Sequence, residues 1–373
     1  MENKKYKILF IMHMPPPVHG AAMVGKYIHD SEIINKTFDC YYFNLALSKV
    51  LEDIGKGGIK KFSKFIKQLW DIAKIVRQTQ PEICYTTPNA CGGAFYKDFI
   101  VIMLLKMMKQ NIVIHYHNKG VSTRQDKFID NLLYKVFFKN IKVILLTENL
   151  YDDVKKYVKK GDTFICPNGI PETLKEEPLA IRNNKIPHLL FLSNLIISKG
   201  ILVLLDACKI LKEKGYSFVC NFIGGETQEM SAKEFQKEII KRGLTNEVIY
   251  NGKKYGKEKA TFFKQADIFV FPTYYYNETF GLVNLEAMEY KLPIITTDEG
   301  GIKDIVKDEE NGFISQKNNP NSLAACIEKL LCNKELRYKM GENGYKRFKE
   351  QFTLSRFENQ IKKILTECCK QNK

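Results

Sequence analysis

Glu278 and Glu286, in the stretch ETFGLVNLE, are the residues whose type and spacing best fit chemistry on a small polar ligand. The two oxygens of a carboxylate accept hydrogen bonds from the vicinal hydroxyls of a sugar or ribose. Between the glutamates, Gly281, Leu282 and Val283 fall where a helix should begin, and the first amides of a helix bind phosphate. The stretch therefore predicts a site for a phosphorylated sugar or nucleotide. Acidic residues near a helix start also commonly just complement the helix dipole, and that alternative stays open.

The elements on either side of this stretch should place it at the edge of a parallel sheet. Residues 268–273 (IFVFPT) have the apolar, β-branched character of a buried strand, and residues 282–290 show the pattern of a helix. Residues 274–281 then form a strand-to-helix crossing, which is where open α/β sheets bind ligands. Glu278 should lie in this crossing, and Glu286 in the second turn of the helix.

Other polar residues follow predicted strands elsewhere in the chain. Lys199, after strand 188–195, should lie close to the next helix start, where a lysine suits a diphosphate, although a solvated lysine fits the same pattern. In HYHNKG, strand alternation sends His115 and His117 to one side, with one histidine deeper than the other. A packed core histidine is the alternative, and it suits His115 better.

The segment FVFPTYYYNETFGLVNLEAMEYKLPIITTDEGG closely resembles the signature of retaining glycosyltransferase family 4, with its two glutamates separated by seven residues. The resemblance implies that Glu278 and the amides of Gly281, Leu282 and Val283 contact the donor sugar and diphosphate. It also implies that Glu286 holds the ribose.

The resemblance extends to the loops after two other strands. Lys199 matches a family lysine on the diphosphate, and Asn194 stands where the family has an arginine. In PPPVHG, Gly20 matches the second glycine of a pair that reaches the diphosphate, and His19 replaces the first. His19 is either a contact to acceptor or phosphate, or simply an exposed loop residue.

Three further positions acquire roles from the same resemblance. His117 resembles a histidine near the donor sugar and is expected to act with Glu278 in catalysis. Gly225, in FIGGE, belongs to a loop that approaches the base and diphosphate. Lys253 or Lys254 either reaches the base or is surface charge.

The alternation of strands and helices predicts an α/β fold with two domains. We place an N-terminal Rossmann-like domain on the acceptor side at 1–172 and a C-terminal, donor-binding one at 185–350. The resemblance implies that the segment 351–373 is a helix that crosses back to the first domain. The resemblance implies the GT-B arrangement, two doubly wound parallel-sheet domains that face each other across a cleft.

The amino-acid composition limits which classes of binding partner are expected. The net charge is +16, with +11 in residues 1–170 and +5 in the rest, which suits phosphorylated substrates, anionic lipid or nucleic acid. Without a zinc finger or RNA-recognition motif, nucleic acid is not expected.

Helix 59–78 is basic and amphipathic, typical either of a sheet-covering helix or of one at a membrane interface. The ten cysteines read as buried thiols, with Cys368 and Cys369 the candidates for exposure.

We therefore expect a retaining enzyme that moves a hexose-type sugar from a nucleoside-diphosphate sugar to an acceptor hydroxyl, on a glycan or lipid-linked acceptor in surface-glycan assembly. No metal cofactor is expected, because the sequence shows no metal-ligand cluster. No apolar run is long enough for a membrane span, so we expect a cytoplasmic protein that attaches peripherally to anionic membrane. The alternatives are a nucleotide-sugar epimerase or oxidoreductase, disfavoured by the missing Gly-x-Gly-x-x-Gly, and a non-catalytic basic module.

Overall fold

The computed structural model describes residues 5–16, 20–46, 59–174 and 182–371, with the side chains of 59–62 left aside. His19 therefore lies outside the described residues. The chain divides into two compact units: residues 1–169 together with 354–373, and residues 170–353. Each unit is built on one six-stranded parallel sheet.

The first unit has the strand order β2-β1-β3-β4-β5-β6. Its strands are β1 (Lys7–Met12), β2 (Asp39–Asn44), β3 (Ile83–Thr86), β4 (Ile112–His115), β5 (Lys142–Leu145) and β6 (Thr163–Ile165). Its helices are α1 (Gly20–Asp30), α2 (Glu32–Thr37), α3 (Ile59–Thr79), α4 (Gly92–Met107), α5 (Val121–Arg124), α6 (Phe128–Phe138), α7 (Tyr151–Val154) and the final helix, α15 (Leu354–Gln371).

The second unit has the order β12-β11-β10-β7-β8-β9. Its strands are β7 (His188–Leu192), β8 (Val219–Ile223), β9 (Val248–Tyr250), β10 (Ile268–Phe271), β11 (Ile294–Thr297) and β12 (Gly312–Ser315). Its helices are α8 (Ile201–Glu213), α9 (Ala232–Lys241), α10 (Gly256–Gln265), α11 (Leu282–Glu289), α12 (Ile302–Ile305), α13 (Pro320–Leu331) and α14 (Lys334–Gln351).

The predicted α/β class is confirmed, because both sheets are parallel and covered by helices. Central strands are mostly apolar, as expected where both sheet faces are buried. From Ile8 to Met12, every residue of β1 is 0% exposed.

Strand β2 was not predicted from the sequence. All six of its residues are half-buried, and its sequence DCYYFN mixes polar and aromatic residues. Because β2 is an edge strand, it is not enclosed on both sides and carries no continuous apolar run.

The final helix, α15, packs in the first unit against α2 and β3. Its inner face is apolar, and the Gln360 side chain donates to the Ile165 carbonyl at 3.1 Å. Cys368 and Cys369 belong to that inner face and are buried, so the suggestion that they are exposed is wrong.

The segment between the units is attached to the second unit. Glu289, 3% exposed, accepts hydrogen bonds from the Thr173 and Leu174 amides. Burial raises the pKa of the Glu289 carboxyl, and these hydrogen bonds act against that rise. The Arg182 guanidinium donates to the Tyr290 and Lys291 carbonyls. These contacts fix the chain as it enters β7.

Candidate active site

The candidate site of the second unit lies where the strand order reverses. From β7 the chain proceeds through β8 to β9 on one side, and from β10 through β11 to β12 on the other. Strands β7 and β10 are neighbours and parallel, with Ile268 paired to Leu189. The loops after these two strands therefore leave the same sheet edge on either side of the switch point, the usual ligand crevice of open α/β sheets.

Lys199 and Glu278 meet across this switch point. The Lys199 ammonium, in the loop after β7, lies 2.5 Å from a Glu278 carboxylate oxygen in the loop after β10. Their side chains are only 14% and 13% exposed, so water screens the pair weakly. Lys199 Nζ also lies 4.3 Å from the centroid of the Tyr275 ring and 5.6 Å from that of Phe271. A cation held over two aromatic faces beside a carboxylate is fixed in position.

Glu278 also forms a hydrogen bond with the start of α11. Its second oxygen accepts a hydrogen bond from the Gly281 amide at 3.0 Å. The Gly281 amide is therefore bonded to Glu278, as is common for an acidic residue near a helix start. Leu282 and Val283 are the first two residues of α11, as predicted.

Two glycines allow these loops to approach each other. Gly281 has φ 68°, a left-handed conformation that only glycine adopts without strain. Gly200 has φ 89°, and a Cβ built there would lie 2.3 Å from the Pro272 carbonyl oxygen. The loop of Lys199 therefore packs directly against the end of β10.

Asn284, in the first turn of α11, was missed in the sequence. It is 0% exposed, and within the described part of the chain neither polar atom of its side chain has a hydrogen-bond partner. Its Nδ2 would lie 2.8 Å from a Cβ on Gly281. Unused donor and acceptor capacity therefore lies beside the helix start. No motif of the sequence marked this residue, because its burial depends on the packing of α11.

Glu286 lies in the second turn of α11, as expected, and pairs with a lysine that the sequence did not single out. Lys259 of α10 lies 2.8 Å from a Glu286 carboxylate oxygen, and the two side chains are 29% and 24% exposed. The two glutamates of the motif thus each contact a lysine from another element. Lys259 was not predicted because it comes from mid-helix, on no motif.

Asn194 and Gly225 connect the loops after β7 and β8. The Gly225 amide donates to Asn194 Oδ1 at 3.1 Å, and the Leu195 amide donates to the Gly225 carbonyl at 2.8 Å. The Lys253 stem, from the loop after β9, would lie 3.5 Å from a Cβ on Gly225. The loops after three adjacent strands are therefore contiguous, and Asn194 serves as a hydrogen-bond acceptor within them.

Comparison with known proteins gives the family of this unit. Residues 172–347 match the family described as Glycosyl transferases group 1. The second unit belongs to that family. The chain is thus a glycosyltransferase, and the site across β7 and β10 is the candidate active site of its group 1 domain.

Relatives of this glycosyltransferase extend over both units. An uncharacterized glycosyltransferase of Methanocaldococcus jannaschii is 26% identical over 366 residues, 92% of each chain. The capsular polysaccharide biosynthesis glycosyltransferase CapM of Staphylococcus aureus is 29% identical over 240 residues, 61% of this chain and 62% of CapM. The fold is that of the Anabaena protein HepE crystallised with UDP, with TM-score 0.74 at 14% identity over 97% of this chain and 100% of that one. The predicted GT-B fold class is thereby confirmed.

The predicted site residues of the first unit of the glycosyltransferase, Gly20 and His117, follow β1 and β4. Gly20 is exposed and begins α1. The rings of His117 and His115 have centroids 4.1 Å apart and are tilted by 44° to each other. His115 is 0% exposed, and its Nδ1 lies 2.6 Å from the Tyr85 hydroxyl. His115 is thus the deeper of the two histidines, as the strand pattern indicated.

The environment of His117 favours the neutral imidazole. Burial, together with the charge of nearby His13, lowers the pKa of His117 to about 3. Burial first, and the charge of His117 second, hold the pKa of His115 well below its usual value. His13 lies just after β1 and was not recognised as a site residue from the sequence. A neutral histidine can accept or donate a hydrogen bond at neutral pH without carrying charge.

Proposed function

We propose that this glycosyltransferase is a retaining enzyme of family 4, which moves a hexose-type sugar from a nucleoside-diphosphate donor onto an acceptor hydroxyl. The observation that carries the proposal is the Lys199–Glu278 pair across the β7/β10 switch point, beside the first turn of α11. A cation and helix-start amides are what a diphosphate requires, and a carboxylate beside them suits sugar hydroxyls.

Donor binding would rearrange this pair. The diphosphate competes with Glu278 for Lys199 and for the Gly281 amide, both of which Glu278 now holds. The released carboxylate is then free to accept hydrogen bonds from the donor sugar. Lys199 and the amides of Leu282 and Val283 neutralise the charge that develops on the departing diphosphate. No metal is required in this scheme.

The remaining predicted residues are proposed to bind other parts of the donor. Glu286, on the same helix, is proposed to bind the ribose hydroxyls, which would compete with Lys259. Retention follows if the departing phosphate accepts the acceptor proton on the face it leaves. His117 and Gly20 are proposed to contact the sugar and the diphosphate. His117, neutral at pH 7, suits a hydroxyl better than a phosphate.

The acceptor is proposed to be a glycan or a lipid-linked glycan of a surface polysaccharide. CapM, named for capsular polysaccharide biosynthesis, supports this assignment, as HepE with bound UDP supports a nucleoside-diphosphate donor. The described residues include no helix long and apolar enough to cross a bilayer. We propose that the enzyme works in the cytoplasm, where nucleotide sugars are made.

The test combines binding and turnover. UDP, GDP and their hexoses are titrated into the protein by calorimetry, and sugar transfer or donor hydrolysis is followed with the donor that binds. Glu278→Gln should retain nucleotide affinity while lowering turnover more than about tenfold, because it loses charge directed at the sugar. Exposed Glu335→Gln, on α14, is the matched control and should behave as wild type.

Two results would contradict the proposal. Wild-type turnover in Glu278→Gln would remove the proposed role of that carboxylate. Inverted anomeric configuration in the product, read by NMR, would exclude retention. Oxidation or epimerisation of the sugar in place of transfer would favour the alternative enzyme class.

A further inference from the structure

The outward faces of α4 and α6 carry large apolar side chains in water. Met107 on α4 is 82% exposed, and Phe128 and Ile129 on α6 are 84% and 66% exposed. Four more residues on these helices share this exposure: Tyr96, Ile100, Leu132 and Val136. Apart from the adjacent pair Phe128 and Ile129, neighbouring members are three, four or seven residues apart, which places them on one side of each helix.

These side chains are not displaced core residues. The inner face of α6 has its own set of buried residues, Asp130, Tyr134, Phe137 and Phe138. The inner face of α4 likewise has its own set, with Phe95, Val101, Ile102 and Leu105 among its buried residues. Both helices are thus apolar on two sides, whereas a sheet-covering helix needs only one apolar face. The outer stripe calls for a separate explanation.

The two stripes form one continuous surface. At their first turns, the Tyr96 hydroxyl donates to the Asp130 carboxylate at 2.6 Å. At their last turns, the Lys106 ammonium donates to the Val136 and Lys139 carbonyls at 2.6 and 2.7 Å. Helices α4 and α6 therefore run side by side over their whole length.

Helix α3 extends this surface on the other side of α4, against which it packs. Its buried positions, Phe65, Ile72 and Val76, face the sheet. Ile66 and Trp70 lie on the opposite side and are 49% and 64% exposed. Ile66 therefore does not share the buried side of Phe65. We call the exposed residues of α3, α4 and α6 together the apolar face.

Basic residues surround the apolar face. Residues 96–139 contain eight Lys or Arg and three Asp. Two of those aspartates, Asp98 and Asp130, are buried, whereas Lys109, Lys127, Lys135 and Lys139 are exposed. On α3, Lys64, Lys67 and Lys74 are exposed as well. The surface therefore presents apolar and aromatic groups within a positive rim.

Apolar groups within a positive rim favour one kind of partner surface over another. A second copy of the chain, related by a two-fold axis, would bring one lysine rim against another, which repels. An anionic lipid bilayer offers negative headgroups to the rim and hydrocarbon to the apolar residues. Tryptophan and tyrosine, here Trp70 and Tyr96, favour the interface between the two.

We propose that the apolar face of α3, α4 and α6 docks the protein on the surface of an anionic bilayer. Phe128, Ile129 and Met107 enter the headgroup region, and the lysines contact lipid phosphates. The sequence pointed only to the basic helix α3 as a possible membrane contact. The proposed contact is larger and is centred on α4 and α6. This proposal does not rest on the proposed sugar transfer and is tested without it.

The chain contains a built-in reporter, because Trp70 is its only tryptophan and belongs to the apolar face. The full-length protein is mixed with vesicles of phosphatidylcholine alone or with added phosphatidylglycerol. Co-sedimentation should require the anionic lipid and weaken as salt rises. Trp70 emission should shift to the blue on binding and be quenched by phosphatidylcholine brominated on its acyl chains.

Substitutions distinguish binding through the apolar face from nonspecific adsorption of the protein to vesicles. The double variant Phe128→Ser, Ile129→Ser should lower vesicle partitioning at least about tenfold. Both positions lose the favourable free energy of moving an apolar side chain from water into the bilayer. The matched control is Ile240→Ser, Tyr338→Ser in the second unit, where the side chains are 58% and 71% exposed. That control should bind as wild type. Because all four residues are exposed, circular dichroism melting should show both variants folded.

Three outcomes would overturn the proposal. The first is absence of binding to anionic vesicles, which would leave an acidic protein as the partner to seek. The second is co-sedimentation with unchanged Trp70 emission, or undiminished binding of the Phe128→Ser, Ile129→Ser variant, since another surface would then hold the lipid. The third is a doubled mass in light scattering with Trp70 already blue-shifted in the absence of vesicles, which would identify an interface between copies.

Discussion

At the residue scale, the site is a set of charges that already compensate one another without ligand. Glu278 is held by Lys199, and Glu286 by Lys259. The first pair is largely buried and the second is partly exposed, so their energies differ. Removing one member of a buried pair leaves a desolvated charge, whereas an exposed pair contributes only about 0–1 kcal/mol.

Lys199→Ala should lower kcat/KM by roughly 30- to 150-fold, equivalent to about 2–3 kcal/mol. It removes the cation proposed for the diphosphate and leaves Glu278 without its ion partner. Lys199→Arg should recover only part of the loss, because a planar fork replaces a compact ammonium. Asn194→Ala should be milder, because Asn194 accepts one hydrogen bond from the Gly225 amide and carries no charge. A crippled Asn194→Ala beside an active Lys199→Ala would show that the two roles are reversed.

Glu286→Ala should weaken nucleoside-diphosphate binding by roughly 10- to 150-fold, because it loses charge-assisted hydrogen bonds of about 1.5–3 kcal/mol. Lys259→Ala should change that affinity only severalfold, since the pair it breaks is partly exposed. Calorimetric titration of the two variants, side by side, separates a ligand-binding glutamate from one that merely joins α10 to α11. Equal effects of both substitutions would favour the purely structural role.

At the element scale, α15 completes the first unit from the far end of the chain. Ile361 is 0% exposed on its inner face. Ile361→Ala should destabilise the first unit by about 2–5 kcal/mol, through lost burial and the cavity that remains. Urea unfolding followed by the fluorescence of Trp70 reads that unit alone, since the only tryptophan lies within it. Exposed Lys363→Ala, on the same helix, is the control. Equal midpoints for both variants would mean that α15 adds little to the stability of this unit.

At the scale of the whole molecule, stability should fall in mild acid. The pKa of His117 is about 3 in the folded protein and about 6.5 in an unfolded chain, so the unfolded state binds the extra proton between these values. The free energy of unfolding contributed by this residue is complete above about pH 6.5 and decreases as the pH falls toward 3. The slope is about 1.4 kcal/mol per pH unit for one histidine.

His117→Gln should make this pH dependence less steep by about that slope, because glutamine does not titrate. Carboxylates with raised pKa, such as Glu289 and Glu358, act in the opposite direction but equally in both proteins. Urea midpoints measured at about pH 7 and about pH 5 provide the comparison. Parallel pH curves for variant and wild type would show that His117 is not held neutral by burial.

The sequence by itself determined the α/β class and the position of the central stretch. Buried parallel strands read as continuous apolar runs, and Glu278, Gly281 and Glu286 stand at fixed offsets from such a run. Lys199 could be placed beside a helix start for the same reason. These are local properties, set by residues close together in the chain.

Only the tertiary structure decided which side chains meet. Lys199 pairs with Glu278 across 79 positions, and Lys259 with Glu286 across 27. Asn284 is buried, and His117 neutral, because of elements that pack around them from elsewhere in the chain. The exposed apolar residues of α4 and α6 also escaped the sequence, since a helix that is apolar on two sides gives no sign of which side the sheet covers. Contact, burial and pKa depend on neighbours in space, and the order of residues does not list those neighbours.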